Sequence, residues 1–117
     1  MRPTTRRKLD AVVLAAAALL TFSAQAASSD VVIDQFAFNP QRLTVKAGAT
    51  VTWINDDDIP HTVASSGQLF KSKALDTEDK FSFTFTKSGT YEYFCSLHPH
   101  MTGTIVVETV SGDGAAQ

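Results

Sequence analysis

Beyond residue 30 the chain keeps returning to a period of two. Phe81, Phe83 and Phe85 alternate with Ser82, Thr84 and Thr86, and Val51 and Trp53 alternate with Thr50 and Thr52. Successive side chains of an extended strand point to opposite faces, so this alternation predicts strands with one apolar and one polar face. Segments 31–38, 42–46, 50–54, 61–65, 80–86, 90–95 and 103–108 carry the signal. Turn-forming residues separate them: Asn39-Pro40, Ala47-Gly48, Asn55-Asp56-Asp57-Asp58 and Ser88-Gly89. Short strands at such spacing predict an all-β fold in a single domain, a β-sandwich or barrel. Residues 66–79 break the rhythm, and Leu69, Phe70, Ala74 and Leu75 predict a short helical turn or an irregular loop. Residues 111–117 are small and polar and predict a flexible tail.

The first 26 residues follow a different pattern. Arg2, Arg6, Arg7 and Lys8 precede an unbroken apolar run from Ala11 to Leu20, and Ala24-Gln25-Ala26 follows. A basic start, a short apolar run and a small-x-small site predict an export signal over 1–26, cleaved near Ala26. The run is well short of the ~20 residues that cross a bilayer, so no membrane span is expected in the mature form. Arg6-Arg7 resembles the pair of a twin-arginine signal, although Asp10 intrudes. Residues 27–110 are read as the folded domain, and its expected location is periplasmic.

Export changes the charge. The 117-residue chain carries a formal −2, but beyond residue 26 six basic side chains face eleven acidic ones, a net of −5. Such a surface repels phosphate backbones, which argues against nucleic acid, and suits a partner with a basic docking face. Export also gives meaning to the single cysteine. An oxidising compartment favours paired cysteines, and Cys95 has no partner in its own chain. It is therefore an intermolecular bridge, a free thiol or a ligand.

Its neighbours point to the last of these. The stretch CSLHPHM, residues 95–101, holds the only cysteine, two of the three histidines and one of the two methionines. Thiolate and thioether favour copper, and imidazole suits copper and zinc alike. Two histidines, a cysteine and a weak axial methionine make a blue-copper electron-transfer set. Cys95, His98 and Met101 stand three apart on one loop, and the second histidine must be His61, at the start of a strand. His100 is read as a surface residue, because four ligands already complete the site. Asp56-Asp57-Asp58 is read as a solvated turn, since a calcium site needs more oxygen ligands.

The stretch FTKSGTYEYFCSLHPHMTGTIVVE, with TWINDDDIPHTV upstream, resembles the cupredoxins and within them most the amicyanins. The likeness runs from Val31 to Glu108 and implies an all-β, Greek-key β-sandwich of about seven to eight strands. It implies that His61, Cys95, His98 and Met101 bind one copper per chain. It implies that Asn55 braces the ligand loop and hydrogen-bonds near the thiolate. Leu97 replaces the amicyanin proline and restores a backbone N–H, which is expected to reach the Cys95 sulfur and raise the potential. His100 replaces a phenylalanine beside the expected docking patch.

The resemblance implies a periplasmic one-electron carrier, not an enzyme, cycling between Cu(I) and Cu(II) through an exposed His98. Its expected partners are a redox donor and acceptor, by analogy an amine dehydrogenase and a c-type cytochrome, and a monomer is expected. The competing reading is a copper-delivery protein serving an oxidase or copper tolerance. It is weakened because His100 is the only spare histidine and Met101 the only methionine beyond the initiator.

Overall fold

A computed structural model describes residues 27–110. The predicted export signal over 1–26 and the tail over 111–117 lie outside the described residues. Eight strands form: β1 (Ser28–Asp34), β2 (Ala37–Asn39), β3 (Arg42–Lys46), β4 (Ala49–Asn55), β5 (Ala64–Ser65), β6 (Lys80–Phe85), β7 (Gly89–Phe94) and β8 (Thr102–Glu108). They build two four-stranded sheets, ordered β2-β1-β4-β6 and β3-β8-β7-β5. Each sheet is mixed, with β1 parallel to β4 and β3 parallel to β8. The expected sandwich is therefore the fold, and no helix occurs among the described residues.

The period of two decides which side chains meet between the sheets. In β4, Ala49, Val51, Trp53 and Asn55 are buried while Thr50, Thr52 and Ile54 are only partly covered. In β8, Gly103, Ile105 and Val107 point inward. Trp53 anchors the core, with its ring 5.3 Å from Tyr93, 5.7 Å from Phe70 and 5.8 Å from Phe81, centroid to centroid. Burying such side chains contributes roughly 1.5–3 kcal/mol each. Phe85 is fully buried, whereas Phe81 and Phe83 pack against the core from its edge.

Two local expectations change, and one open alternative is decided. Segment 31–38 is not one strand. It breaks at Gln35 and Phe36, which form a two-residue hairpin turn with φ of 54° and 58°. Both angles lie where glycine or asparagine is usual, and each costs a non-glycine residue roughly 1 kcal/mol or more. Segment 61–65 pairs as a strand only at Ala64 and Ser65, because His61 instead forms an isolated bridge with Leu75. The same bridge, with a second between Ala64 and Lys71, holds 66–79 as an irregular extended loop and leaves no helical turn.

Candidate metal centre

Two loops at one end of the sandwich carry the candidate ligands. The first leaves β4 at Asn55. The Asn55 side chain donates to the carbonyls of Ile59 (2.9 Å) and Leu75 (2.8 Å), and its Oδ1 accepts from the Asp57 N–H (2.9 Å). One buried amide thus ties both ends of the turn to the next segment. His61 follows, fully buried, its backbone bonded in both directions to Leu75.

The second loop joins β7 to β8. Cys95 N donates to Met101 O (3.1 Å), His98 N to Cys95 O (3.2 Å) and Met101 N to His98 O (2.8 Å). Two successive turns therefore repeat at three-residue spacing and place Cys95, His98 and Met101 by backbone bonds alone. Cys95 and Met101 are buried and His98 is half-buried.

The side chains converge. Cys95 Sγ lies 3.8 Å from His61 Nδ1 and 3.6 Å from His98 Nδ1, and all three atoms fall within 4.8 Å of one another. A metal bonded to nitrogen at ~2.0 Å and sulfur at ~2.3 Å, with bonds spread in one plane, separates them by about 3.7 Å. The spacing fits a single first-row metal ion, and the soft thiolate with a methionine in the same loop favours copper among them.

The surrounding hydrogen bonds differ from the sequence expectation in two places. The Leu97 N–H makes no hydrogen bond with the Cys95 sulfur. Leu97 occupies the outside of the first turn and is 49% exposed, while the sulfur faces inward. The donor to sulfur is instead the backbone N–H of Thr62, at 3.3 Å. Asn55 braces the loop that carries His61, as expected, but none of its three bonds goes to the thiolate. Thr62 also links the two loops, because its hydroxyl accepts from the Ser96 N–H (2.7 Å) and lies 2.8 Å from the Ser96 hydroxyl.

Asp57 departs from its reading as part of a solvated turn. Its carboxylate Oδ2 lies 2.9 Å from His61 Nε2 and accepts from the Phe36 N–H at 3.2 Å. The bond to the His61 ring, and then that from Phe36, hold its carboxyl below the usual aspartate value. A metal-bound imidazole is normally fixed through its other nitrogen in this way. His100 is exposed, as expected for a surface residue. Thr62, Asp57 and Phe36 are the neighbours that sequence reasoning missed. Only Asp57 left a trace, as a carboxylate four residues before a histidine.

The family model described as a cupredoxin-like domain matches residues 10–107. Amicyanin of Paracoccus denitrificans is 40% identical over 93 residues, covering 74% of this chain and 71% of that protein. Amicyanin-alpha of Methylorubrum extorquens is 38% identical over 113 residues, covering 80% and 95%. Among solved structures, the Cu(I) form of an amicyanin variant aligns with a TM-score of 0.66 at 41% identity, covering 74% of this chain and 86% of the other. The likeness spans both sheets and both ligand loops, and on that basis the chain belongs to the cupredoxin family.

Proposed function

We propose that the protein is a periplasmic blue-copper electron carrier, with His61, Cys95, His98 and Met101 as the ligands of one copper ion. The observation that carries this reading is the convergence of two imidazole nitrogens on one buried thiol sulfur, within 4.8 Å, from loops braced by backbone hydrogen bonds. Bound copper supplies one-electron exchange between Cu(I) and Cu(II). The protein contributes a frame that moves little. His61 is held by Asp57, Cys95 by the Thr62 N–H, and the loop from 95 to 101 by its own turns. Small rearrangement on changing oxidation state favours fast transfer over catalysis.

His98 is the proposed portal for electrons. Its ring is the half-buried one of the two, the exposed Phe36 ring meets it edge-on, and the exposed Leu97 precedes it in the loop. An apolar collar around a ligand ring lets a partner approach without stripping water from charges, while the acidic remainder of the surface steers a basic partner. By family analogy the donor is an amine dehydrogenase and the acceptor a c-type cytochrome, with a monomer as the working form. No helix among the described residues is long and apolar enough to cross a membrane.

The test is spectroscopic. The exported protein, loaded with Cu(II), is expected to show an intense thiolate-to-copper band in the visible, which Cys95→Ser abolishes. Tight binding of Cu(I) without that band would favour the delivery reading instead. Failure to bind either ion would sink both.

A further inference from the structure

The two histidines are held by different means. His61 is buried, and its outer nitrogen, Nε2, is bonded to Asp57. His98 is half-buried, and among the described residues nothing hydrogen-bonds to its Nε2. Its ring is instead flanked by two others. The Phe36 ring meets it edge-on at 5.1 Å and 89°, and His61 packs on it at 5.0 Å. Phe36 also meets His61 edge-on, at 5.6 Å and 90°. One phenyl ring therefore touches both imidazoles and spans the gap between them on the solvent side.

Phe36 is an unusual residue for its position. It is 47% exposed, and it stands at φ 58° beside Gln35 at φ 54°. A large aromatic side chain in the left-handed region of a tight hairpin turn is unfavourable, and little burial compensates it. Such strain persists where surrounding contacts over-determine it. Here the Phe36 N–H is fastened to the carboxylate of Asp57, the same group that orients His61. Beside Phe36 runs an open groove of about 350 Å³, with His100 and Met101 in its walls.

We infer that Phe36 is a positioning and shielding residue of the metal centre: it fixes the ring of His98 and keeps small outside ligands, such as azide or imidazole, from the copper. The inference rests on the copper reading above. Without the phenyl ring the His98 imidazole loses one of the two rings that flank it. Phe36 is itself a wall of the groove beside Met101, so its removal opens that wall next to the imidazole it covers.

The experiment compares the copper-loaded protein with Phe36→Gly and Phe36→Tyr. Glycine accepts the positive φ without penalty, so Phe36→Gly relieves the turn while removing the ring. The metal-free Phe36→Gly protein is expected to melt no lower than the unaltered protein. Its Cu(II) form is expected to bind azide at least about tenfold more tightly, read as a shift of the visible band. Phe36→Tyr, which keeps the ring, is expected to restore exclusion. Equal azide affinities in the unaltered protein and Phe36→Gly would overturn the inference while leaving the copper centre intact. A sharp fall in the melting temperature of metal-free Phe36→Gly would also overturn it, by making Phe36 a packing residue. Absence of any thiolate band in the unaltered protein removes the copper reading and this inference together.

Discussion

Asp57 shows how far a single side chain depends on its place. It is the middle member of three aspartates, and Asp56 and Asp58 are exposed. Asp57 alone turns inward, because its backbone N–H is caught by the Asn55 side chain and its carbonyl accepts from the Thr77 hydroxyl. An anion fixed on a ligand imidazole raises that ligand's basicity and favours the more highly charged metal. Asp57→Asn keeps the shape and removes the charge. It is expected to weaken Cu(II) affinity by roughly 10–100-fold. The reduction potential, measured by voltammetry, should rise, since Cu(I) loses less than Cu(II). An unchanged potential would mean that the carboxylate is only a strut for the loop. The candidate ligands were legible in CSLHPHM, since few other roles gather cysteine, histidine and methionine at that spacing. The groups that hold them were not, because the Thr62 backbone and the Phe36 ring act across gaps of more than 20 residues.

The β7–β8 hairpin is the element on which the centre hangs. Its strands pair from Gly89↔Val107 to Phe94↔Thr102, and the ligand loop is their connection. Pairing is close at Tyr93↔Gly103, where the hydroxyl end of the tyrosine ring fills the space a side chain on residue 103 would need. A Cβ at residue 103 would come within 2.3 Å of that ring. Alanine in a strand normally gains roughly 0.5–1 kcal/mol over glycine by restricting the unfolded chain. Overpacking of a buried ring opposes this by about 1–3 kcal/mol, so the clash wins. Gly103→Ala is expected to lower the melting temperature by several degrees, and an unchanged or raised value would show that Tyr93 can move aside. Strand positions were readable from alternation. Their interruptions were not, because the break at Gln35-Phe36 carries no glycine, asparagine or proline, and the bridge of His61 with Leu75 is a tertiary pairing.

On the scale of the whole molecule, the two sheets clamp one polar feature at the centre of their core. The Tyr93 hydroxyl and the Trp53 N–H are both buried and find no hydrogen-bond partner among the described residues. Burial pushes the Tyr93 hydroxyl up to about 12. A tyrosine that binds its proton more tightly when folded adds stability below its ordinary value near 10. That stability is lost as the pH rises from about 10 to about 12. The shift corresponds to an order of 2–3 kcal/mol. Alkaline denaturation should therefore be steep over that window in the unaltered protein and flatter in Tyr93→Phe. Because the lost hydroxyl has no partner, the phenylalanine variant should be no less stable at neutral pH. Loss of stability at pH 7 would show that the hydroxyl is satisfied after all.

The order of residues alone determined the fold class and the candidate ligand types. Period-two alternation admits only strands with a buried face, and a thiol, an imidazole and a thioether at three-residue spacing admit few uses other than metal binding. Tertiary structure decided what completes the centre. His61 reaches Cys95 because β4 and β7 lie in opposing sheets and end at the same end of the sandwich. The sulfur receives its hydrogen bond from Thr62 and not from Leu97, because the turn at 95–98 leaves Leu97 outside. Phe36 meets both imidazoles because a strained hairpin carries it there. Local pattern encodes what each segment is, but contacts between distant segments exist only once both sheets have closed around a common core.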